Sequence, residues 1–383
     1  MTFTIKGNIL SDGDMIENGF VTIDGGVIQR VDARPPSGLI DLDRTGFLVA
    51  SGFIDMHVHG GAGVDFMAGT EDSVRAILRA HARHGTTGLL ATTITASRAD
   101  VDQAIRAICA VAEAPAQDEA RILGIHLEGP YLCRGRRGAQ PVAPIRPPDI
   151  DELRHWVELS NGRIRQITLA PELAGAIPFI SAARELGITC SIGHTDATSA
   201  QALEAIEAGA TQATHLFNAM RGLHHREPGA AGAALTSPQL VAELICDGVH
   251  LDPRIVRLAV MLKSVRRIAL VTDAMSACDM PEGVYSLGGQ EVISDGTKAA
   301  FRDGTLAGST LTMERAFANV QRFASVGPAD AATMAATVPA RQIGVASRKG
   351  WLGVGRDADI VIIDPVDEAI DTTIVEGITA YQR

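Results

Sequence analysis

Two textures of hydrophobic and polar positions divide this chain. Residues 1–50 read as strands. Segment 20–28, Phe-Val-Thr-Ile-Asp-Gly-Gly-Val-Ile, sets two β-rich runs around a tight turn and predicts a hairpin. Leu48-Val49 ends this part. Similar runs return at 359–364 and 373–377, behind a turn-rich stretch at 350–355. Neither terminus holds enough strands to bury a core alone. Residues 1–50 and 346–383 are therefore predicted to build one small β-sandwich domain together.

Over 51–345 the period changes. Segment 71–84 carries Val74, Ile77, Leu78 and Ala82 at helical spacing, with Gly85 as a stop. Short apolar runs at 53–59, 87–93, 122–128, 164–170, 189–194, 212–215, 241–246 and 268–273 are mostly separated by amphipathic or Ala-rich helical stretches, such as 199–208. Eight βα units in succession favour a closed parallel (β/α)8 TIM barrel. An open doubly wound sheet is the alternative, and it requires a reversal of strand order. Segment 278–301, with turns at Gly288-Gly289 and Asp295-Gly296, reads as a β-flap after the eighth strand, placed to shield a reaction from water.

Catalytic groups of such barrels sit at the C-terminal ends of the strands. In strand one, Asp55, His57 and His59 share a face. By strand rise the two histidine Cα atoms lie roughly 7 Å apart, near enough to converge on one ion. His-x-His alone is a weak signal. Strand three, however, ends in His126 and Glu128, strand five in His194, and strand six in His215. Strand seven leads into Asp247 and His250, and strand eight ends at Asp273. Imidazole and carboxylate are ligands of zinc or iron, and burying so many titratable groups without an ion is expensive.

His57, His59, Glu128, His194 and His215 are accordingly candidate metal ligands. Five exceed the needs of one open zinc site, so a two-metal arrangement bridged by Glu128 is expected. Asp273 is expected to act as general base toward the attacking water and then as acid toward the leaving group. A sixth ligand or a histidine partner is its other reading. His126 is expected to support the ligands from one layer below. His81, His84 and His155 fall on helices and are expected at solvent or at helix ends. His224 and His225 lie in a loop beside Arg226, where they can help bind an anion, although exposed loop histidines are usually inert.

The 383 residues suffice for a barrel with an accessory domain. A net charge of -11 with no basic stripe argues against nucleic acid and anionic membranes as partners, and an anionic substrate would need a local cation. Cys109, Cys133, Cys190, Cys246 and Cys278 are odd in number and show no CxxC spacing, which predicts reduced thiols and a cytoplasmic location. Residues 1–6 begin no signal peptide, and no apolar run approaches the ~18 residues of a transmembrane helix.

Several stretches together resemble a known family. They are His126-Leu127-Glu128-Gly129-Pro130, Gly193-His194-Thr195-Asp196-Ala197-Thr198, Ala213-Thr214-His215-Leu216-Phe217-Asn218-Ala219-Met220, Arg226-Glu227-Pro228-Gly229, Asp247-Gly248-Val249-His250, Leu270-Val271-Thr272-Asp273-Ala274 and Gly304-Thr305-Leu306-Ala307-Gly308-Ser309. In this order they resemble the metal-dependent amidohydrolase barrels, and within them the N-acetylglucosamine-6-phosphate deacetylases. The resemblance implies hydrolysis of the acetamide of that phosphorylated amino sugar, with one or two divalent ions per subunit, zinc or iron. It implies that Glu128, His194 and His215 hold the ion nearly all members share, and that His57 and His59 match positions adding a second. Substrate contacts carry over as Ala139, Gln140, Asn218, Ala219, Arg226, Asp247, His250, Leu306, Ala307 and Gly308. The planar fork of Arg226 suits a phosphate. Gln140 departs from the histidine that some members use to polarise the amide carbonyl; it donates a hydrogen bond but carries no charge. The resemblance also implies a homodimer, with some phosphate contacts crossing its interface. A cyclic-amide hydrolase of the same superfamily often bridges its metals with a strand-four lysine, whereas here that strand ends Leu169-Ala170-Pro171-Glu172. Another amino-sugar phosphate, such as N-acetylgalactosamine 6-phosphate, is the alternative substrate, and a catalytically silent scaffold is the alternative outside catalysis.

Overall fold

Eight parallel strands follow one another in chain order: Phe53–Val58, Thr86–Thr93, Arg121–Glu128, Ile164–Leu169, Thr189–Ile192, Gln212–Ala213, Val241–Leu244 and Ile268–Leu270. The computed structural model describes residues 2–11 and 13–383. No strand order is reversed, so the open doubly wound alternative is excluded. The ring closes where Val58 bridges Ala274 in parallel, with Asp273 N donating to His57 O at 2.9 Å and His59 N to Ala274 O at 2.8 Å. Closure leaves the interior strands no free edge.

The helices outside the ring form where the periodicity places them. Helix Glu71–Arg83 starts at Thr70, whose side chain accepts from Ser73 N, and carries Glu71 and Asp72 in its first turn. It stops before Gly85, at φ +81°. A Cβ there would meet Phe53, Val361 and Ile370 at about 3 Å, so only glycine lets the chain turn this close to the barrel and the terminal sheet. Helix Ser199–Ala208 begins with a reciprocal capping box between Thr198 and Gln201. The faces these helices bury join the strands in one continuous apolar core.

Both chain ends contribute to a second sheet of seven strands. It takes Phe3–Ser11, Asp14–Asp24, Val27–Asp32 and Leu42–Ser51 from one end and Ile360–Ile363, Ile370–Val375 and Ile378–Gln382 from the other. The expected hairpin turns at Gly25 and Gly26, both at positive φ. Ile28 N and Ala358 N then bond across to Arg356 O and Gly26 O, folding the sheet over its own core of Ile5, Ile9, Val21, Val49, Ile360 and Ile362. Buried Lys349 lies 2.7 Å from Asp359 Oδ2 and 2.9 Å from Asp357 Oδ2, and Arg121 reaches Glu376 at 3.0 Å, tying this sheet to barrel strand three.

After strand eight, Gly283–Leu287, Gln290–Ser294 and Ala299–Ala300 form the expected antiparallel flap. It packs on Ile94 and Met275 through Leu287 and Val292. Among the described residues no helix is long and apolar enough to cross a membrane. All five cysteines are free.

Candidate metal centre and active site

The C-terminal rim gathers side chains from five strands. His57 and His59 come from the end of strand one, Glu128 from strand three, His194 and His215 from just past strands five and six, and Asp273 from just past strand eight. His194, His215 and Asp273 have φ of +47°, +28° and +50°. Non-glycine residues seldom adopt this region, and such strain concentrates at functional sites. Glu172 secures the turn after His194 by accepting from Thr195 Oγ1 at 2.5 Å and Asp196 N at 2.6 Å.

Two groups of three result, and Glu128 belongs to both: His57, His59 and Glu128, and Glu128, His194 and His215. Glu128 Oε1 lies 3.1 Å from His194 Nε2 and 3.2 Å from His215 Nε2, and Oε2 lies 3.1 Å from His59 Nε2. Asp273 Oδ1 stands 3.5 Å from His57 Nε2 and 3.3 Å from His59 Nε2.

The spacing tests whether an ion fits. His194 Nε2 and His215 Nε2 are 3.1 Å apart, and His57 Nε2 and His59 Nε2 are 3.3 Å apart. Ring nitrogens facing each other this closely need a proton or a cation between them. Donors bound to one tetrahedral ion at ~2.0–2.1 Å lie roughly 3.3 Å from each other. His194 Nδ1 faces Arg136 O at 3.0 Å; a carbonyl only accepts, so Nδ1 carries the proton and the Nε2 lone pair faces Glu128. The donor set fits a divalent cation.

The electrostatics agree. Burial presses down the basicity of His57, yet the charges of Asp273, Glu128 and Glu243 hold it well above the ordinary imidazole range. Burial acts likewise on His59, but hydrogen bonds with Asp273 and Glu128 raise it to about 9. Burial pushes Glu128 up, but the charges of His57 and His194 hold it well below the usual carboxylate range. For Asp273 the same opposition ends at about 2. This rim attracts positive charge.

The rim opens into a cavity of about 260 Å³. Of the expected substrate contacts, Ala139, Gln140, Asn218, Ala219, His250, Leu306 and Gly308 line it. Asp247, Ala307 and Arg226 do not. Asp247 holds His250 Nδ1 at 2.6 Å, and Ala307 is buried, with its N–H donating to Ala299 O. Arg226 is exposed, with Nη1 2.8 Å from His225 Nε2. Among the described residues no lysine or arginine lines this cavity. Burial lowers the basicity of His250, but its bond to Asp247 raises it above the ordinary value. Gln140 donates from Nε2 to Glu128 Oε2 and accepts from Thr95 N through Oε1 at 2.8 Å. The flap contributes Leu287.

Sequence reasoning missed Glu243. It is fully buried in strand seven, with Oε2 3.0 Å from His57 Nδ1. The available signal was a carboxylate inside the otherwise apolar run Val241-Ala242-Glu243-Leu244. His126 is buried between Thr92 and Thr168 and stacks edge-on against His57 at 4.7 Å, in the supporting layer expected. His81 corrects the expectation of a solvated residue: it is buried, with Nε2 2.9 Å from Gly60 O. His84 caps its helix, and His155 faces Asp102 at 3.0 Å.

A parallel barrel whose C-terminal mouth holds two imidazole–carboxylate groups sharing one glutamate defines the class of metal-dependent barrel enzymes. The chain belongs to the amidohydrolase family, whose profile matches residues 48–380, and this family is metal-dependent. It is 39% identical to the N-acetylglucosamine-6-phosphate deacetylase of Bacillus subtilis (strain 168), over 97% of this chain and 95% of that one. It is 36% identical to the N-acetylgalactosamine-6-phosphate deacetylase of Escherichia coli O157:H7, over 95% and 96%. Among solved structures it resembles an alanine variant of N-acetyl-D-glucosamine-6-phosphate deacetylase from Mycobacterium smegmatis in complex with N-acetyl-D-glucosamine-6-phosphate. The TM-score is 0.95, with 33% identity and all of both chains covered.

Proposed function

We propose that this chain hydrolyses the acetamide of N-acetylglucosamine 6-phosphate to glucosamine 6-phosphate and acetate, in amino-sugar catabolism and recycling. The observation that carries this reading is the pair of triads sharing Glu128, with Asp273 beside them, at the floor of a sugar-sized cavity. Deacetylases of this substrate are similar to the chain along nearly its whole length.

Glu128, His194 and His215 would hold one divalent ion, and His57 and His59 with Glu128 would hold a second. The donors suit zinc or iron. Such an ion supplies a lowered water pKa and polarisation of the acyl oxygen. Asp273, held at about 2, is a carboxylate at neutral pH and starts as the base. It takes a proton as water oxygen bonds to the acetyl carbon, then gives it to the sugar nitrogen as the C–N bond breaks. Gln140 contributes an uncharged N–H donor beside the acyl oxygen. Ala139, Asn218, Ala219, His250, Leu306 and Gly308 enclose the sugar. Asp247 orients the His250 ring through Nδ1 and Ala307 anchors the loop on either side of it.

The phosphate calls for more cation than His250 alone, and Arg226 is exposed on its own chain. The enzyme works in this reading as a cytoplasmic homodimer in which the partner's Arg226 reaches the phosphate. Residues 1–50 with 346–383 act as a β-sandwich domain beside the catalytic domain 51–345.

Acetate release tests the reading. N-acetylglucosamine 6-phosphate should turn over well, the unphosphorylated sugar poorly, and neither after chelation. A preference for the galacto epimer would instead favour the activity named for the Escherichia coli relative.

A further inference from the structure

Glu243 is a buried carboxylate that, among the described residues, pairs with no lysine or arginine. It is satisfied by donors alone: Gln166 Nε2 at 2.9 Å and Gln212 Nε2 on Oε1, His215 N–H at 3.1 Å and His57 Nδ1 at 3.0 Å on Oε2. A buried charge without such partners would be prohibitive. Here the donors converge from strands four, six and one and from His215, two residues past strand six. One carboxylate oxygen thus touches both metal groups, His57 through its ring and His215 through the backbone at its strained φ of +28°.

We propose that Glu243 is a positioning residue that makes the His57/His59 group competent to bind its ion. Because a carboxylate only accepts, it fixes the proton on His57 Nδ1. That turns the Nε2 lone pair toward His59, Glu128 and Asp273 and raises its donor strength. The inference rests on the metal-dependent reading above.

Glu243→Gln removes the charge and keeps the shape. Gln166 Oε1 and Gln212 Oε1 are buried without partners. Both amides can therefore turn to accept from the introduced amide, and the fold should tolerate the change. Chelator-stripped protein is titrated with Zn²⁺ in a calorimeter. Wild type should take two ions. The variant should bind the His57/His59 ion roughly 10–100-fold more weakly, leaving the Glu128/His194/His215 ion within a few-fold. In a His57→Ala background, Glu243→Gln should change the remaining ion no further. The metal-free variant should melt near wild type, which separates positioning from a merely structural role. Two ions at wild-type affinity, or equal weakening of both, overturns the proposal. If the glutamine variant does not fold, Glu243→Asp carries the same test, because it draws the carboxylate back from Nδ1. Wild type that binds no Zn²⁺ would instead defeat the functional reading.

Discussion

Asp273 Oδ1 lies 3.3 Å from His59 Nε2, within reach of the strand-one histidines and at the open side of the rim. A carboxylate there can exchange a proton with water held over the metal groups. Asp273→Asn keeps the size and removes that capacity. It should lower kcat by roughly 10²–10⁴-fold while metal analysis still finds the Glu128/His194/His215 ion. Wild-type turnover in this variant would remove Asp273 from the mechanism.

The shared position of Glu128 predicts an asymmetry among ligand variants. His59→Ala should lower metal content to one ion per chain, and His194→Ala should spare only the ion on the strand-one side. Glu128→Ala should lose both. Emission spectrometry of dialysed protein reads all three, and two ions retained by Glu128→Ala would disprove the bridge.

Arg226 sits outside the cavity that its own chain lines. Arg226→Ala should raise KM for the phosphorylated sugar by roughly 10–100-fold, the worth of one or two charge-assisted bonds, and leave the unphosphorylated sugar unaffected. In the proposed homodimer, mixing it with Asp273→Asn should restore activity, because one mixed site would then have an intact Asp273 and the partner's Arg226. No recovery on mixing would place the contact within one chain.

Next to buried His81, which is lowered to about 4 and stays neutral above that pH, His84 lies 2.8 Å from Glu314 and 3.5 Å from Asp279. Burial lowers its basicity, but the two carboxylates raise it to about 9, above its ordinary 6.5. A raised folded-state value stabilises fully below pH 6.5, and the stabilisation is lost as pH climbs through 9. The melting-temperature gap between wild type and His84→Ala should therefore narrow over that window, reflecting a loss on the order of 1–3 kcal/mol. A constant gap would show that the pair does not titrate as a unit.

Much of this was legible in the residues. Helix Glu71–Arg83 and its stop at Gly85 follow from spacing and caps, and the polar strand ends from His57 to Asp273 marked the rim. Their convergence was readable because barrel topology sends every strand end to one face. What was not legible depends on lateral neighbours. Glu243 gains meaning only when Gln166, Gln212 and His57 surround it. His81 looks like a surface residue until Gly60 O is found opposite its Nε2. Asp247 and Ala307 lie behind the wall, the one bonded to His250 and the other to Ala299 O, contacts that spacing does not encode.

The sheet that joins the two chain ends has a consequence for how the polypeptide is made. Ile5, Ile9, Val21 and Val49 emerge from the ribosome some three hundred residues ahead of their partners Ile360, Ile362 and Ile374. At roughly 5–20 residues per second, that delay is on the order of 15–60 s. During it the leading strands present apolar faces and an unpaired edge along Leu42–Ser51, where Ile360–Ile363 will later dock. The nascent chain is thus most exposed to aggregation while the barrel is being translated, and a nonsense change just ahead of codon 360 would leave Leu42–Ser51 without its partner strand.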